Sequence, residues 1–464
     1  MKTTYLLPLF GSILFSLLMY DQSIGINLFL VSLTTAALLL LNRKKREVPW
    51  PFLMAYLITG LSAALYVEPH QVFVHLISLI MLIGVYASPK SSVYLSGIIG
   101  GMNLFFGSTL SRSLDRKNGD GDTKYHDKRK YMATGIGIVI TMILLLLFTS
   151  LYSQGNPDFA ALFKNVDLSF INFGGICFTF LGLYLYLNIV NSYNPEKLVE
   201  TDLGFTNNLN SPQSTFTQGT LQQLYYENLW GKIILGVLNL LLILYLVLDI
   251  IYLQKADVLS AAGHSQAVHQ GVYSLIFSMV CAMAIIVFIF RGSLNFYQKN
   301  EGIKKLSYSW LLLNGGLILT TVIKNGMYIL HSGLTYKRIG VFMFLILTAF
   351  GLVTVYLKIA RKKSFVYLLR TNSIGFFAVM CLFAIIPWNL TVTTYNLKNI
   401  PNPDVDYLLR LEDSNAPLLY EYSAKMPHLL SISQLERIQR RQAHFLQKEK
   451  DKNWREYNYY HLTH

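Results

Sequence analysis

The sequence has few charged residues, few cysteines and none of the common catalytic motifs. Only 14% of its 464 residues are charged and 53% are hydrophobic, whereas soluble domains carry roughly 25% charge. Cys177, Cys281 and Cys381 lie in apolar runs at spacings that fit no metal site. GxSxG, P-loop, Rossmann-glycine and paired CxxC patterns are absent. These features exclude an ordinary soluble protein and leave no signature of a catalysed reaction.

Long apolar runs recur along the chain instead. Each is close to the ~20 residues that cross a bilayer as an α-helix. We therefore predict an all-α, polytopic transmembrane helical bundle with about eleven spans. The predicted spans are Tyr5–Tyr20, Ile24–Leu41, Pro51–Val67, Val72–Ala87, Tyr131–Tyr152, Phe170–Val190, Lys232–Leu253, Val272–Phe290, Leu306–Met327, Gly340–Lys358 and Ser373–Trp388.

One further apolar segment, Ser91–Leu110, is predicted not to cross the membrane. It contains Gly97, Gly100, Gly101 and Gly107, and glycine weakens a helix. A crossing here would also carry the basic loop that follows to the outside. We expect an interfacial or re-entrant segment that is buried in protein or lines a cavity, because its backbone polar groups need partners.

Basic residues cluster in the short loops between apolar runs and set the predicted orientation. The runs Arg43–Arg46, Arg112–Lys130, Lys304–Lys305 and Arg361–Lys363 are expected in the cytoplasm by the positive-inside rule. This places the N-terminus inside and the C-terminus outside. The cytoplasmic loops are then 42–50, 111–130, 191–231, 291–305 and 359–372. The net charge of +14 is explained by these loops, so we predict contact with membrane lipids and none with nucleic acid.

The predicted organisation is a transmembrane domain, residues 1–388, followed by an extracytoplasmic tail, residues 389–464. In the tail, Asp404–Arg410 resembles the start of a helix. A longer helix is predicted over Ser431–Lys450, with Ser433 as its cap and Glu436 completing a capping box. In the cytoplasmic loop 191–231, the stretch Thr220–Trp230 is predicted as an amphipathic helix lying on the membrane.

Ionisable residues inside the spans form the first candidate site. Asp249 and Lys324 lie at about equal depth near the outer ends of two spans, and Arg338 opens a third. An unpaired charge at that depth is unfavourable, so we predict that Asp249 pairs with Lys324 or Arg338. His331 and Thr335 are expected to supply further hydrogen bonds. Such a pair suits a transporter's relay, but it also suits a structural pair, or a Lys324 that extends separately to the surface.

Histidines in the predicted outer loops form a second candidate site. His70, His75, His264 and His269, together with Glu68, offer ligands for a metal or accept protons near neutral pH. No HxxxH or HExxH spacing joins any two of them. The alternative interpretation is a set of unrelated residues tolerated at a membrane interface. The identity of any metal stays open, and no cofactor is predicted.

Two short polar motifs lie outside these groups. Asp120 and Asp122 resemble the DxD motif that holds metal and sugar diphosphate in some glycosyltransferases, but three residues in a polar loop are a weak signal, and a solvated loop explains them better. Asn389–Thr391 matches a glycosylation sequon by spacing alone.

Several short runs resemble a known family. They are His269–Val272, Gly333–Thr335 followed by Arg338, Tyr395–Asn396, Asp406–Leu409, Asn415–Pro417 and Trp454, with Gly25–Asn27 near the N-terminus. They are similar to bacterial membrane proteins of a domain-of-unknown-function family, the DUF four-one-seven-three type. The resemblance covers most of the chain and is strongest from His269 to Pro417. It implies a multi-pass protein of the bacterial cytoplasmic membrane, with a basic residue at the place of Lys324, and it implies no activity.

Three functions are open at this stage. The first is a non-enzymatic scaffold, sensor or subunit of a cell-envelope complex, which binds a membrane-protein partner through residues 389–464 or the outer loops. The second is a secondary transporter that uses Asp249 and Lys324. The third is a membrane enzyme that acts on a lipid-linked donor through the outer histidines or Asp120 and Asp122. The missing catalytic motifs favour the first.

Overall fold

The computed structural model describes residues 3–42, 47–117, 173–210, 217–256 and 261–463, with scattered positions between 141 and 159. Within these ranges the chain is helical, and an isolated antiparallel bridge pairs Asn208 with Lys363. The predicted all-α bundle is confirmed. Described helices coincide with every predicted span except Tyr131–Tyr152, most of which lies outside the described residues. The predicted basic run Arg43–Arg46 and the motif Asp120–Asp122 also lie outside them.

The first half of the bundle is built around one apolar core. Leu39, Tyr56, Tyr86 and Tyr186 are buried in it. Its helices are α1 (Thr3–Met19), α2 (Ile26–Leu41), α3 (Trp50–Tyr66), α4 (Pro69–Ala87), α5 (Val93–Lys117) and α6 (Phe173–Val190), followed by the short α7 (Glu196–Gly204).

The second half has its own core, in which Leu235, Met279, Ile286 and Phe290 are buried. Its helices are α8 (Gln218–Ala256), α9 (Ala261–Ile289), α10 (Glu301–Ser332), α11 (Tyr336–Ala360) and α12 (Phe365–Ile385). Helix α12 packs on α11 and also on α3, α4 and α5. It therefore joins the two halves.

Residues 388–463 form a folded cap on one end of the bundle. Val392, Leu408, Leu419 and Ile438 are buried together there with Ile339 from α11. The cap helices are α13 (Trp388–Asn399), α14 (Val405–Leu408), α15 (Ala416–Lys425), α16 (Ile432–Lys450) and α17 (Tyr459–Thr463). The predicted tail is therefore packed against the helices that precede it.

The turns beneath the cap follow from local sequence. Glu68 caps α4 in a capping box, and Pro69 occupies the first helical position, where its missing N–H is no loss. Gly333 ends α10 at φ +82, a conformation that favours glycine. Thr335 then caps α11. Two sharp reversals are thus specified by residues that suit them.

Helix connections gather at the cap end. Ser23, between α1 and α2, donates its N–H to Glu456 Oε1 at 2.6 Å. Leu334, between α10 and α11, donates its N–H to Asn396 Oδ1 at 2.6 Å. These two turns, which the sequence predicts on the outside, therefore both contact the cap.

Several other described connections meet at the opposite end, which we call the basic end. Asn42 Nδ2 donates to Val190 O at 3.0 Å, which joins the ends of α2 and α6. Leu209 N donates to Lys362 O at 2.9 Å, which joins the loop after α7 to the turn after α11. These are the loops predicted to be cytoplasmic. The grouping of loops agrees with the predicted topology, and the side that each end faces stays a prediction.

Helix α5 is continuous through its glycines, so the predicted irregular backbone is wrong. It runs for 25 residues, and Val93–Ser111 is long and apolar enough to cross a membrane. A Cβ at Gly100 would overlap the Ile80 carbonyl, and one at Gly84 would overlap the Ser96 carbonyl. The glycines therefore allow α4 and α5 to pack closely. That this segment does not cross stays a prediction.

The positions of Ser92, just before α5, and Gly175, in α6, limit the number of times that the chain between them passes from one end of the bundle to the other. Ser92 lies at the basic end, where its hydroxyl donates to Asp202 Oδ2 at 2.7 Å. Gly175 lies near the cap end, where its carbonyl accepts from Ser16 Oγ at 3.2 Å near the end of α1. Between these points the chain changes ends an odd number of times. Helix α5 and the predicted span Tyr131–Tyr152 therefore cannot be the only two crossings in this interval.

Two local predictions need correction. Thr220–Trp230 is the first part of α8, a single helix of 39 residues, and does not form a helix of its own. The long cap helix, Ile432–Lys450, lies within the predicted range, but its cap is Ser431 instead of Ser433, and Gln434 instead of Glu436 completes the capping box.

Candidate functional site

Asp249 on α8 and Lys324 on α10 form a buried ion pair. Lys324 Nζ donates a hydrogen bond to Asp249 Oδ1, and the lysine and aspartate side chains are only 12% and 5% exposed. The centre of the Tyr252 ring lies 5.5 Å from Nζ and adds a cation–π contact. Each charge offsets the unfavourable burial of the other. The pair therefore connects two neighbouring helices.

Arg338, the other cation proposed for Asp249, lies elsewhere. Its guanidinium carbon is 3.9 Å from the centre of the Tyr328 ring. Its Nη1 donates to Ser332 O at 2.9 Å and to Gly333 O. Arg338 thus ties the start of α11 to the end of α10, and of the two proposed cations it is Lys324 that pairs with Asp249.

His331 and Thr335 do not support the ion pair, so that expectation is wrong. Thr335 Oγ1 accepts from Arg338 N at 3.4 Å and caps α11. The exposed His331 ring places Nδ1 3.2 Å from Met327 O, one turn earlier in its own helix. Both side chains serve the turn between α10 and α11.

The candidate metal histidines do not converge where the structure describes them. His75 is buried in the first core, stacked on Tyr56 at 4.7 Å between ring centres. Its Nε2 lies 3.1 Å from Ser32 Oγ and its Nδ1 3.4 Å from Thr59 Oγ1. These contacts satisfy both ring nitrogens, as expected of a core histidine.

The other three histidines give no metal centre among the described side chains. His70 Nδ1 lies 3.5 Å from Glu68 Oε2, away from the hydroxyl partners of His75. The side chains of His264 and His269 lie outside the described residues. Over the residues that are described, no three His, Cys, Asp or Glu side chains form a group able to hold a metal ion.

Glu68 carries a buried carboxylate on which three segments meet. Its side chain is 1% exposed. Oε1 accepts from the backbone N–H of Asn389 at 3.0 Å, and Oε2 accepts from Tyr336 Oη at 3.1 Å. Together with His70, these residues form what we call the Glu68 node. It joins the start of α4 to α11 and to the first helix of the cap.

Burial governs the charge of Glu68, which lies in the turn between α3 and α4. Burial raises the pKa of Glu68 to about 7, while hydrogen bonds from Asn389 and Tyr336 lower it and the nearby Glu412 carboxylate raises it. The group therefore changes charge near neutral pH. The sequence offered Glu68 only as a metal ligand, and its partners in the cap were not foreseen.

The sequon residue Asn389 is part of this joint. It is fully buried, and its Nδ2 donates to Glu412 O at 2.9 Å and to Ser414 Oγ. A buried amide held in this way is closed to a glycan-transferring enzyme in the folded protein. The match to the sequon is therefore a coincidence of spacing.

A cavity of about 1010 Å³ separates the two halves of the bundle. It lies between α4, α5, α9, α11 and α12, and its walls are mainly aliphatic and aromatic. Arg291, Lys358 and Tyr94 supply polar groups near the basic end. Neither member of the ion pair on α8 and α10 lines it.

Comparison with known proteins gives a family but no activity. A family model described as "Domain of unknown function (DUF4153)" matches residues 9–422. No curated protein and no solved structure matches the chain. The match confirms a domain-of-unknown-function family over most of the chain. It corrects the family number, which is 4153 and not four-one-seven-three.

Proposed function

This chain belongs to the DUF4153 family, and we propose that it acts as a non-enzymatic subunit of a cell-envelope membrane complex. In this proposal the bundle lies in the bacterial cytoplasmic membrane. The N-terminus and the basic end face the cytoplasm, as the positive-inside rule predicts, and the cap faces outside. The observation that carries the proposal is the attachment of the cap to the bundle at two separate places.

The first attachment is the Glu68 node, and the second lies at the turn between α1 and α2. There, Ile26 N donates to Tyr457 O at 2.8 Å, and Arg455 Nη1 donates to Leu17 O at 2.6 Å. A tail held at both of its ends presents a defined outer surface instead of moving as a tether. Such a surface suits the docking of a partner protein.

The cap is also fixed internally. Arg441 on α16 donates from Nη1 to Leu409 O at 2.5 Å and from Nη2 to Leu411 O at 2.6 Å. It reaches Asn415 Oδ1 at 3.1 Å as well. Because one guanidinium holds three positions of the neighbouring chain, α16 cannot shift without breaking several charge-assisted hydrogen bonds.

Four exposed apolar side chains mark where a partner would dock. Tyr420, Met426, Leu429 and Ile432 are 47%, 43%, 45% and 78% exposed, and they follow one another through α15, the next turn and the start of α16. We call them the docking patch. Grouped exposed apolar side chains are typical of protein interaction sites.

The buried Asp249–Lys324 pair is the observation that favours the alternative, a secondary transporter. A relay needs access to a pathway, yet the cavity between the halves is lined by neither residue. Pairing between α8 and α10 accounts for both charges as structural. The enzyme alternative relies on the outer histidines and on Asp120 and Asp122. His70 and His75 have separate partners, and the side chains of the others lie outside the described residues.

Site-specific photo-crosslinking tests the proposal. A photoreactive residue replaces Ile432 in one variant and Lys450, at the other end of α16, in the matched control. In native membranes, the Ile432 variant is expected to give one discrete adduct with a membrane protein that also co-purifies in near-equal amount. The Lys450 variant is expected to give little or none. The double substitution Leu429→Glu and Ile432→Glu is expected to release this partner without lowering the melting temperature, because both side chains are exposed.

Two results would overturn the proposal. One is purification of the chain alone under conditions that preserve other membrane complexes. The other is crosslinking of Ile432 only to lipid, which would make the docking patch a contact with the membrane surface.

A further inference from the structure

Lys358 is buried at the basic end of the cavity without a carboxylate partner. The residue is 1% exposed, and its Nζ donates to Phe290 O at 2.6 Å. An ammonium group has three N–H donors, and the described residues offer Lys358 no second acceptor and no ion pair. A buried cation in this state is unfavourable unless an anion or water reaches it.

A second cation stands at the same end of the cavity. Arg291 follows directly on α9, is exposed, and places its guanidinium carbon 4.0 Å from the centre of the Phe288 ring. Like Lys358, it forms no ion pair within the described chain. Two uncompensated positive charges therefore line one end of an otherwise apolar cavity.

Within the described residues, the carboxylate that bonds to a lining residue is that of Asp202, and it is already paired with a cation. Asp202 accepts hydrogen bonds from Tyr94 Oη and from Ser92 Oγ, the latter at 2.7 Å. Arg370 Nη2 lies 3.4 Å from the same carboxylate. The Asp202 carboxylate, on α7, is therefore already paired. Because it does not bind Lys358 or Arg291, these two cations are available to an external anion.

The rest of the cavity is mainly apolar, with Asn372 and Ser373 on α12 as further polar lining residues, and part of its wall is exposed. Phe288, Phe365 and Phe376 line it and are 64%, 56% and 51% exposed. Ile77 and Leu347 line it farther from the basic end. A pocket with cations at one end and a mainly apolar body fits an amphiphile with an anionic head.

We propose that this cavity binds one anionic phospholipid from the leaflet at the basic end. Its headgroup phosphate accepts from Lys358 Nζ and Arg291, and its acyl chains lie against the aromatic and aliphatic walls. Basic pockets between transmembrane helices are known to bind anionic headgroups in this way. The lipid completes the hydrogen bonding of Lys358 and fills the space between the two halves.

Native mass spectrometry of the full chain in detergent tests this proposal, with phosphatidylglycerol and phosphatidylcholine of identical acyl chains as probes. The unaltered protein is expected to bind phosphatidylglycerol more tightly. Arg291→Gln and Lys358→Met are each expected to weaken its binding about fivefold, and the double variant roughly 25-fold. Phosphatidylcholine binding is expected to stay unchanged.

Three further arms separate a lipid site from simpler explanations. Lys305→Gln removes an exposed lysine at the same end that does not line the cavity, and it is expected to leave the affinity unchanged. Ala284→Trp fills the cavity and is expected to weaken binding of both lipids. Inorganic phosphate at the lipid's concentration is expected to leave phosphatidylglycerol binding unchanged.

Equal binding of the two lipids by the unaltered protein would overturn the proposal. So would an equal loss in Lys305→Gln and Arg291→Gln, which indicates general surface attraction, or competition by inorganic phosphate, which indicates a site for a free anion. If Lys358→Met does not fold, Arg291→Gln and Ala284→Trp still decide the outcome.

Discussion

Glu68 Oε1 accepts a hydrogen bond from the backbone N–H of Asn389 at 3.0 Å, across 321 positions of the sequence. This contact fixes the start of the cap to the turn between α3 and α4. Tyr336 Oη bonds the other oxygen, so the first and second halves of the bundle meet at the same carboxyl group. His70, 3.5 Å away, is its cationic partner only when protonated.

The first prediction is that the thermal stability of the protein falls as the pH rises through the pKa of Glu68. Its pKa is about 7 in the folded protein and 4.5 ordinarily, so the folded state holds the proton more tightly. The stabilisation that results from this tighter proton binding is fully present below about pH 4.5 and is lost as the pH rises through 7. The shift corresponds to roughly 3 kcal/mol at most. Melting temperatures between pH 5 and 8 should decline in the unaltered protein and decline less in Glu68→Gln.

Glu421 provides the matched control for that experiment. It is an exposed glutamate on α15 whose pKa is lowered by its hydrogen bond with Lys425. Glu421→Gln should leave the decline between pH 5 and 8 intact. A Glu68→Gln variant with the same pH profile as the unaltered protein would show that the Glu68 node does not control this dependence.

The second prediction concerns the Asp249–Lys324 pair. Asp249→Asn or Lys324→Met leaves one charge buried, and each is expected to lower the free energy of unfolding by about 3–5 kcal/mol. The double variant should lose much less than the sum. In the exposed Glu421–Lys425 pair, each single change should have little effect on stability, because solvent screens the two charges. Thermal unfolding in one detergent measures all of them, and additive losses at Asp249 and Lys324 would contradict a coupled pair.

The spans were predictable because each is a local property of the sequence. A run of about twenty apolar residues must form a helix in a bilayer, whatever it contacts. The effect of glycine on a helix is not a local property in this sense, as Gly84 and Gly100 show. Their missing side chains let α4 and α5 approach, and that packing outweighs the low helix propensity.

The partners of buried polar groups were predictable only where few choices existed. Asp249 had two cations at a similar depth, and one of them is its partner. Glu68 instead bonds to a backbone N–H and a tyrosine hydroxyl, groups that occur throughout the chain. The cap of α16 shows the same limit on a local scale. Ser431 and Ser433 each precede a suitable residue by three positions, and the local pattern does not choose between them.

The third prediction tests the close packing of α4 and α5 with two adjacent glycines. In Gly100→Ala, the new methyl group would overlap the Ile80 carbonyl, and a loss of several kcal/mol is expected. In Gly101→Ala, the methyl group meets open space, so the better helix propensity of alanine should stabilise the protein by up to about 1 kcal/mol. Opposite shifts in melting temperature are expected, and equal shifts would show that the helices are not in close contact at Gly100.

The last prediction decides which segment crosses the membrane between Ser92 and Gly175. The chain changes ends an odd number of times there, so α5 and Tyr131–Tyr152 cannot be its only two crossings. The loop Arg112–Lys130 carries seven Lys or Arg against four Asp, and the positive-inside rule therefore keeps it in the cytoplasm. We expect α5 to remain on the cytoplasmic side and Tyr131–Tyr152 to cross.

Cysteine labelling measures this directly, after Cys177, Cys281 and Cys381 are replaced by alanine. An impermeant thiol reagent applied from outside should label Ser433→Cys on the cap and should not label Lys305→Cys at the basic end. Gly119→Cys should behave like Lys305→Cys, with labelling only after the membrane is opened. Labelling of Gly119→Cys together with Ser433→Cys would make α5 the crossing helix and would remove Tyr131–Tyr152 as a single span. The orientation of every later helix would stay the same, because either arrangement brings the chain to the cap end before α6.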